Sequence, residues 1–159
     1  MTLTTADLCD AFGDAVRLVD PVFRDYGGIS RFGGPIETLR VFEDNALVAD
    51  TLEMAGQGRV LVVDGGGSLR TALVGGRLAG LAHANGWAGL VVNGCVRDSV
   101  EIREIPLGVR ALNSAPMRSA KSGKGERGGK VDFAGVTFSP GQYLYADEDG
   151  MVVADRSLT

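Results

Sequence analysis

The chain has 159 residues and a formal net charge of −4, from 16 Lys and Arg against 20 Asp and Glu. This is the length of one domain, and an acidic chain is a poor direct ligand of nucleic acid unless its charges are segregated. The single His excludes sites built on several histidines, and the two Cys allow at most one disulfide bond.

The start of the chain and its hydropathy pattern indicate a compartment. The first residues show no basic segment followed by an apolar run, and no stretch approaches the ~20 apolar residues of a membrane span. We therefore expect a cytoplasmic protein that does not enter a membrane, with Cys9 and Cys95 as free thiols.

The N-terminal third of the chain combines helix, turn and strand signals. In chain order, the pattern predicts a helix over 5–12, turns over 27–36, a strand over 38–42 and a second helix capped by Asp44 or Asn45. The pattern predicts that this second helix ends at Gly56 or Gly58.

The centre of the chain has the clearest pattern. Its elements follow in the order strand 59–64, glycine-rich loop 65–76, helix 77–86, strand 88–93, short helix 94–102 and strand 108–112. The first two strands are continuous apolar runs, which is typical of strands buried on both faces. This order predicts a parallel sheet with right-handed crossovers.

The C-terminal third joins a basic segment to short strands. Residues 118–130 are rich in Lys, Arg and Gly, and we expect a mobile, solvated loop with Arg110 beside it. Contact with RNA is the alternative, but the acidity of the chain and its few aromatic residues favour a solvated loop or a subunit contact. Short strands follow over 131–133, 135–138, 142–145 and 151–153.

Two loops of the predicted sheet carry the residues suited to chemistry. Ligands of an open parallel sheet bind outside the carboxyl ends of its strands, where the glycine-rich loop and the segment 94–98 both begin. Gly75 and Gly76 precede a helix whose free N–H groups suit a carboxylate or phosphate. Arg97 is suited to bidentate binding of a carboxylate, and Asp98 to binding Mg²⁺ or Mn²⁺.

Glu101 lies three residues after Asp98, on the same face of the predicted short helix. From these local features the sequence predicts either an anion pocket with a carboxylate-held metal or a surface turn held by salt bridges. Arg-Asp neighbours and acidic pairs at this spacing are frequent on solvated surfaces, so the spacing alone leaves both interpretations open.

A longer spacing connects both loops. Gly76, then twenty residues, then Arg97-Asp98, two residues and Glu101 resembles the Gly-x20-Arg-Asp-x2-Glu/Asp pattern of a known family. These are the class II pyruvate aldolases acting on 4-hydroxy-4-methyl-2-oxoglutarate, grouped with the proteins called regulator of ribonuclease E activity A. The resemblance to the regulator branch extends over most of the chain, at residues 41–45, 58–68, 133–138 and 144–147.

The resemblance implies a fold, an assembly and a reaction. The fold is a single RraA-like α/β domain over residues 1–159, of the swivelling β/β/α, phosphohistidine-domain-like type with a mixed sheet. The assembly is a homotrimer with sites in clefts between subunits. The reaction is metal-dependent aldol cleavage of 4-hydroxy-4-methyl-2-oxoglutarate to two pyruvate molecules, with oxaloacetate decarboxylation as a secondary activity through the same pyruvate enolate.

The resemblance also implies roles for individual residues. Asp98 holds the divalent cation, Mg²⁺ or Mn²⁺, Arg97 binds the substrate, and Glu101 is a supporting catalytic carboxylate. Backbone N–H groups bind the substrate carboxylate at Gly75, Gly76, Arg77 and Leu78. Long aldolases of the family add acidic residues from a C-terminal extension of the neighbouring subunit, and this sequence ends at Thr159 without one. We therefore expect weak activity or a different natural substrate.

Two other functions stay open at this point. The regulator branch binds ribonuclease E, and an acidic trimer suits the arginine-rich segments of such a nuclease. The intact motif from Arg97 to Glu101 favours an enzyme, since a pure regulator needs no metal site. An S-adenosylmethionine-dependent methyltransferase is the minor alternative, because residues 64–67 after a strand resemble a nucleotide-binding loop.

We interpret the remaining distinctive side chains as structural. We expect His83 in the core or at a subunit interface, and Cys9 in the core. Cys95 is expected to be buried in a tight turn, and Trp87 to pack where the helix returns to the sheet.

Overall fold

The computed structural model describes residues 3–159. The helices of this part are α1 (Thr5–Phe12), α2 (Ala46–Leu52), α3 (Gly76–Ala84) and α4 (Ser99–Arg103), with a 3-10 turn at Gly13–Ala15. The strands up to the third helix are β1 (Val16–Leu18), β2 (Arg24–Asp25), β3 (Phe32–Arg40), β4 (Val60–Asp64) and β5 (Ala72–Val74). The later strands are β6 (Gly89–Val96), β7 (Gly108–Ser114), β8 (Glu126–Arg127), β9 (Val131–Phe133), β10 (Val136–Phe138), β11 (Tyr143–Asp147) and β12 (Gly150–Ala154).

A large mixed sheet organises these elements, with strand order β1-β12-β11-β3-β4-β6-β7-β2. The strands β3, β4, β6 and β7 run parallel, as the central pattern of the sequence predicts. β3 joins the two halves of the sheet, because its first residues pair with β11 antiparallel and its last residues pair with β4 parallel. The mixed α/β fold expected from the sequence is therefore confirmed.

The core lies on both faces of the parallel strands. Leu61 and Val63 of β4 pack with the apolar sides of α2 and α3, while Val60 and Val62 face the other cluster. That second cluster is closed by the β9–β10 hairpin and by β11 and β12, with Phe138 fully buried. Alternate residues thus enter opposite cores, which explains why the strand reads as one continuous apolar run.

Several predicted boundaries were wrong, and the segment predicted as the loop 65–76 contains strand β5. Residues 32–36 form the start of β3 rather than turns, because their glycines permit close approach of neighbouring chains. A Cβ on Gly34 would lie 2.1 Å from the Gly58 carbonyl oxygen, and one on Gly33 would lie 2.9 Å from that of Leu144. The strand predicted over 88–93 is β6, and it continues to Val96 before α4 begins, since Cys95 pairs with both β5 and β7.

Single side chains confirm some predictions and correct others. Trp87 is buried and donates from its indole nitrogen to the Met54 carbonyl oxygen, at 3.1 Å. Cys95 is buried as expected, and burial raises the pKa of its thiol. Cys9 is exposed, because the buried side of α1 is formed by Thr5 and Leu8. His83 is also exposed, which excludes the core for this residue, and its alternative position at a subunit interface stays a prediction.

A buried carboxylate fastens α1 to the sheet. The Asp147 carboxylate accepts hydrogen bonds from the backbone N–H and the hydroxyl of Thr5, both at 2.7 Å, and from the Asp149 N–H at 3.0 Å. Burial opposes ionisation of Asp147, but these hydrogen bonds outweigh it and hold the pKa of the carboxyl below its ordinary value.

No helix within residues 3–159 has the length and apolarity to cross a membrane.

Replacing Thr5 by Val is expected to lower the free energy of unfolding by about 1.5–3 kcal/mol at pH 7, because a hydrogen bond to a charged group is lost. The stabilisation from a lowered carboxyl pKa is complete above the unfolded value and is lost as the pH falls through the folded value. The difference from wild type therefore shrinks below about pH 5. Urea denaturation of Thr5→Val, with Thr5→Ser as the control, measures it; a difference that does not change with pH contradicts this role of Asp147.

Candidate active site

The parallel pairing of β5 with β6 brings the two predicted loops together. Val74 at the end of β5 pairs with Val96 at the end of β6, so both chains leave the sheet at the same edge. The Arg97 N–H donates to the Val74 carbonyl oxygen at 2.9 Å and fixes this exit. Gly76 and Asp98 consequently lie next to each other, although 22 positions separate them in the sequence.

Asp98 connects the starts of two helices. Its Oδ2 accepts a hydrogen bond from the Gly76 N–H at 2.9 Å, and its backbone oxygen accepts one from the Ile102 N–H at 2.9 Å. The residue has φ 58° and ψ 43°, a left-handed conformation that aspartate tolerates better than most side chains. Within residues 3–159, Oδ1 receives no hydrogen bond, so one carboxylate oxygen is free for a ligand.

The two glycines form a cradle for the acidic side chains. A Cβ on Gly76 would lie 1.1 Å from Oε2 of Glu101, and a Cβ on Gly75 would lie 2.8 Å from Oδ2 of Asp98. The Arg97 side chain also touches this surface, with its Cγ 3.4 Å from the Gly75 Cβ position. The predicted residues therefore converge on one short stretch of backbone that must be free of side chains.

The start of α3 contributes backbone donors and little else. The side chain of Leu78 is buried in the core and that of Arg77 is exposed, so both residues contribute to the site through their backbone N–H groups. The first turn of a helix has no intrahelical acceptors for these groups. The Gly76 N–H is already used by Asp98, which leaves the N–H groups of Arg77 and Leu78 for a ligand.

Arg97 is half-buried and weakly engaged within the chain. Its Nη1 donates to the Pro116 carbonyl oxygen at 3.4 Å, a long hydrogen bond. In the part of the chain that the structure describes, Arg97, Asp98 and Glu101 form no ion pair. The arrangement therefore differs from a turn held by salt bridges, and the guanidinium has donors available for an anion.

The donor set fits a hard cation with few protein ligands. Residues 3–159 contain no group of three or more His, Cys, Asp or Glu side chains placed to hold a metal ion. Asp98 offers one free carboxylate oxygen above the glycine cradle, with the Glu101 carboxylate beside it. Mg²⁺ is bound in this manner in many proteins, through one or two carboxylates while waters and substrate fill the other positions.

Sequence reasoning missed the contacts that shape the neighbouring loop. Glu43 Oε2 accepts hydrogen bonds from the Ser68 hydroxyl at 2.6 Å and from Arg70 Nε at 2.8 Å, and these lower the pKa of its carboxyl. Asp64 Oδ1 accepts from the Gly66 N–H at 2.9 Å and from Asn93 Nδ2 at 3.0 Å. Turn-forming glycines marked this loop, but nothing local indicated Glu43, which lies 25 residues before Ser68.

A second buried carboxylate fixes the basic segment. Asp44 accepts hydrogen bonds from the hydroxyl and N–H of Ser122 and from the Gly123 N–H. Burial opposes ionisation of Asp44, but these bonds outweigh it and lower the pKa. Residues 120–130 are exposed as expected, yet the start of the segment is anchored. Arg110 does not lie beside it, since it is buried near Ser30 and Asp147.

Proteins of similar sequence are named for aldol cleavage. The family profile described as "RraA-like: Aldolase/RraA" matches residues 5–153. A protein of Alkalilimnicola ehrlichii, provisionally named 4-hydroxy-4-methyl-2-oxoglutarate aldolase, is 58% identical over 158 residues, which cover 99% of this chain and 98% of that protein. One of Dechloromonas aromatica with the same provisional name is 55% identical over 163 residues, which cover 100% of both.

Similar solved structures have different names. The RNA-processing inhibitor RraA from Thermus thermophilus has a TM-score of 0.96 at 50% identity, covering 100% of this chain and 96% of that one. A Geobacillus kaustophilus protein named S-adenosylmethionine: 2-dimethylmenaquinone methyltransferase has a TM-score of 0.96 at 51% identity, covering 98% and 97%. The same fold therefore carries three functional names.

The position of Glu101 over Gly76 is testable through stability. Gly80→Ala, in open space on α3, is expected to raise the free energy of unfolding by about 0.5–1 kcal/mol. Gly76→Ala is expected to raise the free energy of unfolding by less, because the Glu101 carboxylate must move away from the new Cβ. Adding Glu101→Ala to Gly76→Ala is expected to restore the full increase. Urea titration of the four proteins measures this; an equal gain from Gly76→Ala with Glu101 intact contradicts the cradle.

The anchoring of the basic segment is testable by limited proteolysis. Asp44→Ala removes the acceptor for Ser122 and Gly123, so trypsin is expected to cleave after Lys121 and Lys124 several-fold faster than in wild type. Asp50→Ala, at an exposed acid of α2, is the matched control. Equal cleavage rates in both variants show that Asp44 does not hold the segment.

Proposed function

This chain belongs to the RraA-like family of aldolases and RraA proteins, and on that basis we propose that it is a divalent-metal-dependent lyase of α-keto acids. The proposed reaction is cleavage of 4-hydroxy-4-methyl-2-oxoglutarate into two pyruvate molecules. One observation carries the proposal: the free oxygen of Asp98, the donors of Arg97 and the open N–H groups of α3 meet at one edge of the sheet.

The substrate carboxylate is proposed to bind at the start of α3. The N–H groups of Arg77 and Leu78 point out of the first turn, where the helix dipole also favours negative charge. The Arg97 guanidinium adds parallel donors that match a carboxylate. Gly75 and Gly76 have no Cβ, so the carboxylates of Asp98 and Glu101 lie directly against the backbone beside these donors.

Asp98 and Glu101 are proposed to supply the acidic half of the site. Asp98 Oδ1 holds Mg²⁺ or Mn²⁺, while the hydrogen bond from the Gly76 N–H to Oδ2 fixes the orientation of the carboxylate. When bound, the cation acts as a Lewis acid that stabilises negative charge on the keto and carboxylate oxygens of the substrate. Glu101 is a positioning residue that accepts hydrogen bonds from water at the site.

The proposed reaction balances without a redox partner. The substrate hydroxyl loses its proton, the adjacent carbon–carbon bond breaks, and the electron pair of that bond goes to the departing pyruvate enolate. Protonation of the enolate carbon gives the second pyruvate. Arg97 and the N–H groups of α3 hold the carboxylate of this half during both steps. Oxaloacetate loses CO₂ to give the same enolate, so we propose its decarboxylation as a secondary activity.

We also propose a homotrimer in the cytoplasm, with the site near a subunit boundary. The exposed apolar side chains Val100 and Met117 support this, since Val100 lies between Asp98 and Glu101, and Met117 follows Pro116, whose carbonyl oxygen accepts a hydrogen bond from Arg97. Light scattering measures the assembly.

A second candidate function is regulation of ribonuclease E by binding. The name of the Thermus relative and the net charge of −4 favour it. Methyl transfer is a minor candidate, favoured by the name of the Geobacillus relative. Titration calorimetry with S-adenosylmethionine tests it, and micromolar binding supports it.

Pyruvate release by metal-stripped protein, with and without added Mg²⁺, tests the proposal. The substrates are 4-hydroxy-4-methyl-2-oxoglutarate and oxaloacetate. Release is expected to require the metal and to fall at least about 100-fold in Asp98→Asn, because the charge that holds the cation is removed. Arg97→Lys is expected to lower kcat/KM by about 10-fold or more, since a point charge does not reproduce bidentate geometry.

Asp50→Asn is the matched control, with the same charge change at an exposed residue of α2. It is expected to keep wild-type turnover. No metal-dependent release from folded, trimeric protein contradicts the lyase, and capture of ribonuclease E by the same preparation then favours the regulator. Wild-type turnover in folded Asp98→Asn contradicts the role of Asp98.

A further inference from the structure

The basic segment 118–130 is segregated in charge from the rest of the chain. It has one acid, Glu126, although the whole sequence has a net charge of −4. It contains two Arg and all three Lys of the sequence: Arg118, Lys121, Lys124, Arg127 and Lys130. A protein that is acidic overall can bind a polyanion at such a segregated patch, because the local potential decides the contact.

The cations of this segment are exposed and largely unused inside the chain. Within residues 3–159 none of them forms an ion pair, and Arg127 alone donates a side-chain hydrogen bond. The nearby acid Glu126 lies 3.8 Å from Arg40. Glu43 accepts a hydrogen bond from Arg70 at 2.8 Å. The positive charge of the segment is therefore available to an anion from outside.

The backbone of the segment is attached on both sides of residues 121–124. Before them, the Ala120 N–H donates to the Glu43 carbonyl oxygen at 2.9 Å. After them, β8 pairs antiparallel with the last residues of β3. Residues 121–124 therefore pass beside Phe42, whose position falls between these two attachment points. Because the backbone is already ordered, binding a ligand here costs less conformational entropy than ordering a free loop.

Phe42 supplies an aromatic surface at this place. The residue is 58% exposed, and its Cδ1 lies 2.8 Å from the Cβ position of Gly66, so the ring lies against backbone without a side chain. Of the aromatic side chains in residues 3–159, only that of Phe42 is exposed rather than buried or partly buried. An exposed ring beside cations is the usual composition of a surface that binds single-stranded nucleic acid.

We propose that Phe42 and the basic segment bind a single-stranded nucleic acid. One base stacks on the ring of Phe42, and the phosphates next to that base contact Lys121 and Lys124. Arg118 and Lys130, at the two ends of the segment, contact phosphates further along the strand. An acidic peptide offers no base to the ring, and a duplex keeps its bases stacked on each other, so both fit this surface less well. RNA and DNA share the required groups and differ in the 2′-hydroxyl.

This surface shares no residue with the proposed lyase site. In the sheet, β4 lies between β3, which leads to Phe42, and β6, which leads to Asp98. The proposal therefore does not rest on the proposed function, and its test uses no measurement of pyruvate.

Tryptophan fluorescence of the Phe42→Trp variant tests the stacking. Trp87, the single native tryptophan, is 4% exposed and supplies a constant background. Titration with an oligoadenylate decamer at low ionic strength is expected to quench the indole introduced at the surface and to leave the wild-type emission unchanged. A polyglutamate peptide of similar charge is the matched control, and it is expected not to quench. No quenching by the decamer, or equal quenching by the peptide, overturns the proposal.

Fluorescence anisotropy of a labelled decamer with the wild-type protein and its variants locates the contacts. Lys121→Gln and Lys124→Gln are each expected to weaken binding several-fold and to reduce the slope of log K against log salt concentration by about 0.7. Arg24→Gln, at an exposed cation of β2, is the control and is expected to bind as wild type does. Unchanged affinity and slope in folded Lys121→Gln and Lys124→Gln overturn the proposal.

The same assay separates stacking from charge and RNA from DNA. Phe42→Leu keeps an apolar side chain and is expected to weaken binding about 10-fold, whereas Phe42→Trp keeps the affinity. Equal affinity for a duplex of the same length overturns the stacking on Phe42. Tighter binding of the RNA decamer than of the DNA decamer supports the proposal with RNA as the ligand, and equal binding supports it for both.

Discussion

The hydrogen bond from the Gly76 N–H to Asp98 is the contact on which the candidate site depends. It forms because β5 and β6 end side by side, and because Gly76 has no Cβ to displace Glu101. The same bond occupies one oxygen of Asp98 and orients the other. A longer side chain at the start of α3, or a different register between the two strands, would separate the helix donors from the carboxylates. The site is thus a consequence of strand pairing, and the loops only complete it.

Much of this arrangement was accessible from the sequence, for a physical reason. The continuous apolar runs of β4 and β6 indicate strands that are buried on both faces. Because such strands pair in parallel through crossover connections, their carboxyl ends lie at the same edge of the sheet. The resemblance to the Gly-x20-Arg-Asp-x2-Glu/Asp pattern of the family then indicated which residues meet. The left-handed conformation of Asp98 was not accessible, since nothing in the local pattern requires it.

The errors arose where tertiary contacts decide the outcome. Gly33 and Gly34 have the composition of a turn, but their lack of side chains lets β3 pass close to β11 and to Gly58. Exposure of Cys9 depends on which side of the short helix α1 meets the sheet. That side is fixed by Thr5, whose carboxylate partner lies 142 residues away. Asp44 likewise acts on backbone 78 residues later. Such distances defeat reasoning from neighbouring residues.

The two edges of the parallel sheet differ in the charge that they offer. At the carboxyl edge, Arg97 and the open N–H groups of α3 favour anions, and one oxygen of Asp98 accepts no hydrogen bond within residues 3–159. At the other edge, five acids surround Arg110, whose charge is already matched by Asp25 and by two carbonyl oxygens. An anion such as an α-keto acid is therefore favoured at the first edge and disfavoured beside the five acids. The distribution of charge over the sheet therefore agrees with an anion site at the carboxyl ends of the strands, where Arg97 and Asp98 lie.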